Sequence, residues 1–235
     1  MRIDKIFSSI GLLSRSECKK AVKAGLIKVG DRTVKSPDEQ ADPDNDKIYY
    51  NGELQNCSSL VYYVLNKPAG VVTARDDKNH ETVFKFISDS RPDLSPVGRL
   101  DKDTTGILLI TNDGQLNHRL LSSKYHVSKT YIIEADGIVG EADIARLEEG
   151  IDIGDDKPTL PAMAELISTY GGRSVLSLTI TEGRYHQVKR MMAAIGKPVL
   201  TLHRQSFGPL TLEDELLPGQ ARSLTSDEVR LLKEI

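Results

Sequence analysis

Apolar residues at Ile3, Ile6, Phe7 and Ile10 fall at i, i+3, i+4 and i+7, which predicts a short amphipathic helix that Gly11 terminates. Ser14 and Glu17 have the spacing of a capping box, so a second helix follows, with Ala21 and Val22 facing inward and Gly25 at its end. On that helix Arg15, Lys19 and Lys23 stand four apart and form one basic ridge, either a solvated face or a grip for a polyanion. The period then shortens to that of strands. Residues 26–29 and Thr33-Val34 flank Gly30-Asp31-Arg32, and Ile48-Tyr49-Tyr50 runs into Asn51-Gly52, two hairpin signals that close a small module near residue 56.

Residues 55–59 are polar and read as a linker, after which residues 60–65 open a larger domain as a buried strand. Further strands are expected at 107–110, 130–135, 164–169 and 175–181, and helices at 115–122, 141–150 and 185–195. Strands outnumber helices and do not alternate regularly with them. The pattern therefore predicts an α+β protein: a small helix-helix-hairpin domain with its linker over 1–59, and over 60–235 a mixed, mainly antiparallel β-sheet with flanking helices.

Composition narrows the partners. The two cysteines, Cys18 and Cys57, lack CxxC spacing and the five histidines are dispersed, which argues against a zinc site or a disulfide framework. No run approaches the roughly 20 apolar residues of a membrane span. The first residues are amphipathic rather than signal-like, so a cytoplasmic protein without membrane contact is expected. The net charge of −3 does not favour nucleic acid, but its distribution does. Residues 1–28 hold seven basic side chains (Arg2, Lys5, Arg15, Lys19, Lys20, Lys23, Lys28) against two acidic ones, whereas residues 29–60 hold three against seven. Residues 183–212 carry Arg184, Lys189, Arg190, Lys197 and Arg204 and no acid. Two separated basic segments predict a polyanion track.

Candidate chemistry concentrates where Gly98-Arg99-Leu100-Asp101-Lys102-Asp103-Thr104-Thr105-Gly106 meets the apolar strand Ile107-Leu108-Leu109-Ile110. A carboxylate at the mouth of a buried strand can be held rigidly, although these residue types also make ordinary turns. There is no glycine-rich dinucleotide loop, P-loop or nucleophile elbow, so nicotinamide or adenosylmethionine chemistry, NTP hydrolysis and a hydrolase triad lose support.

Gly98-Arg99-Leu100-Asp101 followed by Thr105-Gly106-Ile107-Leu108-Leu109 resembles the catalytic motif of RNA pseudouridine synthases. Asn66-Lys67-Pro68-Ala69-Gly70, Lys129-Thr130-Tyr131 and Glu182-Gly183-Arg184-Tyr185-His186-Gln187-Val188-Lys189-Arg190-Met191 resemble that family's other motifs, in order. The first 50 residues resemble the S-four-like RNA-binding domain. Asp103-Thr104-Thr105-Gly106 and Tyr185-His186-Gln187-Val188-Lys189 are most similar to the ribosomal small subunit pseudouridine synthase A family. The resemblance implies the pseudouridine synthase fold and conversion of one uridine in 16S rRNA, free or in a small-subunit assembly intermediate, by a monomer that needs no cofactor and no metal.

It further implies Asp101 as the essential carboxylate, acting as nucleophile or as base, with Lys189 as its cationic partner and Tyr131 as the stacking and proton-moving group. Lys189 could instead contact phosphate with Arg190 in its place, and Tyr131 could be a core aromatic. Arg99 would fill the space left by a flipped base or contact phosphate. Arg184, Arg190, Arg2, Lys5, Arg15, Lys19 and Lys23 are the remaining candidate RNA contacts. His186 and Gln187 are expected to order their loop, and His126 and His203 to be structural. The competing readings are a synthase for large-subunit rRNA, a non-catalytic rRNA-binding assembly factor, and an rRNA methyltransferase, which would need the missing cofactor loop.

Overall fold

In the computed structural model, which describes residues 1–58 and 60–235, the N-terminal apolar stripe folds as α1 (Ile3–Ser9) and the capping-box segment as α2 (Arg15–Lys23). Ser14 and Glu17 exchange both reciprocal bonds of the box. Strands β1 (Ile27–Val29), β2 (Arg32–Thr33), β3 (Ile48–Tyr50) and β4 (Glu53–Gln55) form a four-stranded sheet in the order β2-β1-β3-β4. The β3–β4 turn holds Asn51 at φ 52° and Gly52 at φ 84°, the pair of positive angles that a two-residue hairpin of matching twist requires. Ile3, Ile6, Phe7, Ile27 and Ile48 are fully buried in the core of this unit, each contributing about 1.5–3 kcal/mol.

The first unit comprises Met1–Val61 and also Ile87–Ser95, so the bounds expected from sequence, 1–59 and 60–235, omit an excursion. Polar contacts account for it. Ser90 Oγ donates to the Gly11 carbonyl at 3.3 Å, and buried Arg91 reaches the Asn56 carbonyl at 2.5 Å while pairing with Asp89 at 3.4 Å. Of the expected linker, Gln55 belongs to β4 and Ser59 lies outside the described residues.

The second unit, Tyr62–Phe86 and Pro96–Ile235, begins with β5 (Tyr62–Lys67). In chain order there follow β6 (Ser95–Pro96), β7 (Thr105–Thr111), α3 (Gly114–Leu121), β8 (Lys129–Asp136), α4 (Glu141–Glu149), β9 (Met163–Tyr170), β10 (Arg173–Ile180) and α5 (Gln187–Ala194). The unit ends with β11 (Val199–Phe207), β12 (Leu210–Thr211), β13 (Ala221–Ser223) and α6 (Ser226–Lys233). The sheet order is β13-β5-β7-β11-β8-β10-β9, with β7 and β11 parallel and the other neighbours antiparallel. Residues 106–111 of β7 are buried without alternation because the strand lies between β5 and β11 with both faces covered. On β8 and β10 burial alternates, at Tyr131, Ile133 and Ala135 and at Leu176, Leu178 and Ile180. No helix among the described residues is long and apolar enough to cross a membrane.

The sequence reading is correct that the fold is α+β with a mainly antiparallel sheet, but it lacks β11, β13 and α6. Strand β11 carries Thr201, His203, Arg204, Gln205 and Ser206, and a register shift between Arg204 and Ser206 breaks its alternation.

Candidate active site

The loop before β7 is held from beneath. Lys67, the last residue of β5, is wholly buried, and its ammonium donates to the carbonyls of Asp101 at 2.9 Å, Thr104 at 2.8 Å and Pro68 at 3.1 Å, with Lys102 at 3.4 Å. Burial pushes its pKa down to about 8, opposed by the charges of Asp103 and Asp101. At the other end Gly106, with φ 105°, sits where a Cβ would lie 2.2 Å from the Arg204 carbonyl oxygen. Only glycine allows β7 and β11 to approach so closely there. The backbone around Asp101 is therefore fixed by a buried cation and a steric contact.

The Asp101 carboxylate projects from this loop toward α5. Its Oδ2 lies 3.1 Å from Lys189 Nζ and its Oδ1 lies 3.3 Å from His186 Nε2. Lys189 also donates to both oxygens of Asp103, at 2.7 and 2.9 Å. Burial disfavours the Lys189 charge, but the hydrogen bonds it donates to Asp103 and Asp101 outweigh it and raise the pKa. The Lys189 hydrogen bond in turn holds the Asp103 carboxyl below its usual range. One ammonium is thus shared by two carboxylates, Asp101 and Asp103.

His186 reaches Asp101 from a left-handed backbone (φ 47°) just before α5, with its ring stacked 3.8 Å from that of Tyr185. The sequence reading gave it only a role in ordering the loop. The departure is visible in hindsight only as strain, since a non-glycine residue at positive φ must be held there by its surroundings.

The cavity beside Asp101 has a volume of about 140 Å³. One face of the sheet supplies its floor: Lys129 and Tyr131 are two apart on β8, with Tyr131 opposite Leu178 on β10 and Arg204 on β11, and Lys129 opposite Ile180 and Phe207. All of these except Leu178 line the cavity, as do Gly98, Arg99, Thr104, Gly183 and Leu202. Tyr131 is buried. Lys129 donates to the Val127 carbonyl at 2.6 Å, and burial together with the neighbouring Arg204 charge brings its pKa down to about 8.

Asp101, Tyr131, Lys189 and Arg99 thus come together around one cavity, whereas other candidate residues are occupied elsewhere. Arg190 does not reach Asp101. Its guanidinium binds the Ile153 carbonyl at 2.5 and 3.1 Å and Asp155 at 2.5 Å. Arg184 binds the carbonyls of Lys157 at 2.6 Å and Pro158 at 2.8 Å and the Glu182 carboxylate at 3.0 Å. Both arginines clamp the loop around residues 153–158 instead of presenting free charge, and Arg204 is buried. Of the five cations in the expected second basic segment over 183–212, Arg184 and Arg190 are thus paired with the 153–158 loop and Arg204 is concealed. Gln187 does order its loop, accepting the Arg184 N–H at 2.9 Å and donating to Glu182 at 2.8 Å. His203 contacts Thr105 Oγ1 at 2.9 Å inside the sheet, whereas His126 is exposed in a left-handed turn.

In the first unit Arg2 is paired with Asp4 at 2.8 Å and with Asp38, so its charge is largely compensated. Lys5, Arg15, Lys19 and Lys23 are exposed.

Comparison with known proteins identifies relatives of the chain. A family model described as RNA pseudouridylate synthase matches residues 61–194, and an S4 domain model matches residues 1–53. The chain is 43% identical to the uncharacterized RNA pseudouridine synthase YtzG of Bacillus subtilis, covering 100% of this chain and 99% of that one. It is 40% identical to ribosomal small subunit pseudouridine synthase A of Haemophilus influenzae, covering 99% of each. Its identity to the Escherichia coli K12 protein of that name is 36%, covering 97% of this chain and 98% of the other. A crystal structure of a pseudouridylate synthase superposes with a TM-score of 0.69 at 40% identity over 99% of both chains.

Proposed function

The chain belongs to the RNA pseudouridylate synthase family, isomerases by name and motif, and from that premise we propose that it converts one uridine of 16S rRNA to pseudouridine in the small ribosomal subunit. The observation that carries the reading is the Asp101 carboxylate, bracketed by Lys189 and His186 at the edge of a cavity floored by Tyr131. Full-length relatives named for the small subunit support the substrate.

The reaction detaches uracil from C1′ of ribose, turns it and rejoins it through C5. A uridine stacked in RNA cannot reach a carboxylate at the edge of a cavity, so the nucleotide leaves its stack first. Arg99, exposed on the cavity rim, is positioned to meet the RNA beside it. Asp101 faces the anomeric carbon, as nucleophile or as base, with the Lys189 ammonium 3.1 Å from its carboxylate. Tyr131 stacks on the base and handles a proton during the rearrangement. Substrate and product have the same atoms and oxidation level, so the chemistry calls for no cofactor. The S4 unit docks the rRNA through phosphate contacts from Arg15, Lys19 and Lys23 on α2, with Lys5 on α1 as a further exposed cation.

Pseudouridine mapping of 16S rRNA from cells with and without the gene tests the substrate: one position is lost on deletion, and an unchanged 16S map refutes the reading. Asp101→Asn keeps the side chain's size and removes its charge. Tritium release from 5-tritiated uridine in rRNA should vanish while RNA binding stays within about threefold. Release at the wild-type rate would remove Asp101 from the chemistry.

A further inference from the structure

The cavity holds polar groups that the pairing of Asp101 with Lys189 leaves unused. Arg204 is 2% exposed; its Nε donates to the Ile107 carbonyl at 2.8 Å, but its Nη2 is buried with no hydrogen-bond partner. It forms no ion pair with a carboxylate among the described residues. Thr104 Oγ1 is likewise buried and unpartnered, and Lys129 has a single carbonyl acceptor. Arg204 and Lys129 both stand over the Phe207 ring, 5.2 and 5.6 Å from its centre, so two cations share one apolar wall. All of these groups line the cavity that contains Asp101 and Tyr131.

A buried guanidinium without its full set of acceptors costs several kcal/mol, and a second cation beside it adds repulsion. Packing does not require this arrangement, since an apolar side chain would fill the space at lower cost. A ligand carrying acceptors or negative charge would complete it. A backbone phosphate remains tethered along the RNA and suits exposed cations such as Arg99. The floor of the cavity, formed by an aromatic ring and a buried tyrosine, suits a planar base with two carbonyl oxygens.

Resting on the reading that a flipped uridine enters this cavity, we infer that Arg204, with Lys129 and Thr104 beside it, binds the uracil carbonyl oxygens and stabilises the negative charge on the detached base. When the C1′–N1 bond breaks, its electron pair leaves with the base and spreads over N1 and the carbonyl oxygens. Asp101 faces the electron-poor C1′ on one side, and the unpartnered donors face the anion on the other. After the base turns, the pair returns as the C1′–C5 bond, C5 gives up its proton and N1 takes one up. The product is then an isomer of the substrate. Donors preplaced where charge develops are worth more than water there, because they need no reorientation.

The test compares Lys129→Gln and Arg204→Lys with wild type in single-turnover tritium release from 5-tritiated uridine in RNA, with RNA affinity measured by filter binding. Lys129→Gln touches a less buried group, so it tests the assignment even if Arg204→Lys fails to fold. Each folded variant should lose about 10²-fold in rate, with affinity within threefold of wild type. The second readout is inhibition by free bases. 5-Nitrouracil, an anion at neutral pH, should inhibit wild type at least about tenfold better than uracil, and each folded variant should lose that preference. A folded variant that turns over within threefold of wild type, a loss confined to RNA affinity, or equal inhibition of wild type by the two bases overturns the assignment. The comparison uses whichever RNA the wild-type protein isomerises. Failure of 16S rRNA as substrate then refutes the function proposed above, while the ratio of variant to wild type decides the role of Arg204 and Lys129.

Discussion

Lys67 does not touch the cavity, yet Lys67→Met should nearly silence the enzyme. At neutral pH the wild-type ammonium carries a penalty: a pKa of about 8 against an ordinary 10.5 corresponds to about 3 kcal/mol. Three carbonyls, those of Asp101, Thr104 and Pro68, accept from it at 2.8–3.1 Å. Losing a buried partner costs each about 1–2 kcal/mol, or about 3–6 kcal/mol together. Methionine removes both the penalty and the bonds, so the net destabilisation is modest, about 0–3 kcal/mol. At about 2–4 °C per kcal/mol for a chain of this size, the melting temperature should fall by no more than about 12 °C. The effect on rate is different in kind. With its carbonyl released, Asp101 loses its fixed position, and a displacement of about 1 Å costs on the order of 10²-fold. Single-turnover tritium release should therefore fall about 100-fold in protein that remains folded, with RNA affinity little changed. A rate within threefold of wild type would refute the argument that this buried cation positions Asp101.

Tyr131→Phe keeps the ring and loses the hydroxyl, so turnover should fall much more than RNA affinity; equal losses would assign the tyrosine to packing. Replacing Arg15, Lys19 and Lys23 together by alanine should weaken rRNA binding and flatten the slope of log affinity against log salt by about two to three, leaving single-turnover conversion at saturating RNA near normal. An unchanged slope would mean that this ridge does not contact phosphates. Lys67 and Lys129 both have folded-state pKa values near 8, below the ordinary 10.5, so between those pH values the unfolded chain holds protons that the folded chain has released. Their contribution to stability is lowest below pH 8 and rises between about pH 8 and 10.5. Urea unfolding across that window should show a shallower rise for Lys67→Met than for wild type, and parallel slopes would contradict the depressed Lys67 pKa.

The elements legible in sequence were those whose side chains alternate or cap in a way one strand or helix determines alone. The α1 stripe, the Ser14 and Glu17 box and the alternation along β10 all depend on local periodicity and local hydrogen bonds, and all are present in the fold. Strand β11 was not legible, because its core-facing set includes Arg204 and its period is broken by a register shift. Helix α6 did carry a local signal, Thr225 with Glu228 three residues later, and both bonds of that capping box form. The excursion of Ile87–Ser95 into the first unit rests on contacts between residues tens of positions apart, which no local pattern records.

Charge was the least legible property of the site. Arg184, Lys189, Arg190 and Arg204 read identically in a stretch that lacks acids from residue 183 to residue 212, yet they meet three different fates. Two clamp a neighbouring loop, one joins Asp101 to Asp103, and one is buried beside the cavity without a counter-ion among the described residues. The acids that distinguish them, Asp155, Glu182, Asp101 and Asp103, lie outside that window and reach it only through the fold. A local count of charge therefore overstates the positive surface and misses the positive interior. At a distance, only mobile exposed cations attract RNA. A buried cation acts on the group that enters its cavity, where the low dielectric strengthens it. The exposed charge on α2 is thus the part that should govern the salt dependence of binding, and the concealed charge on β8 and β11 the part that should govern the rate.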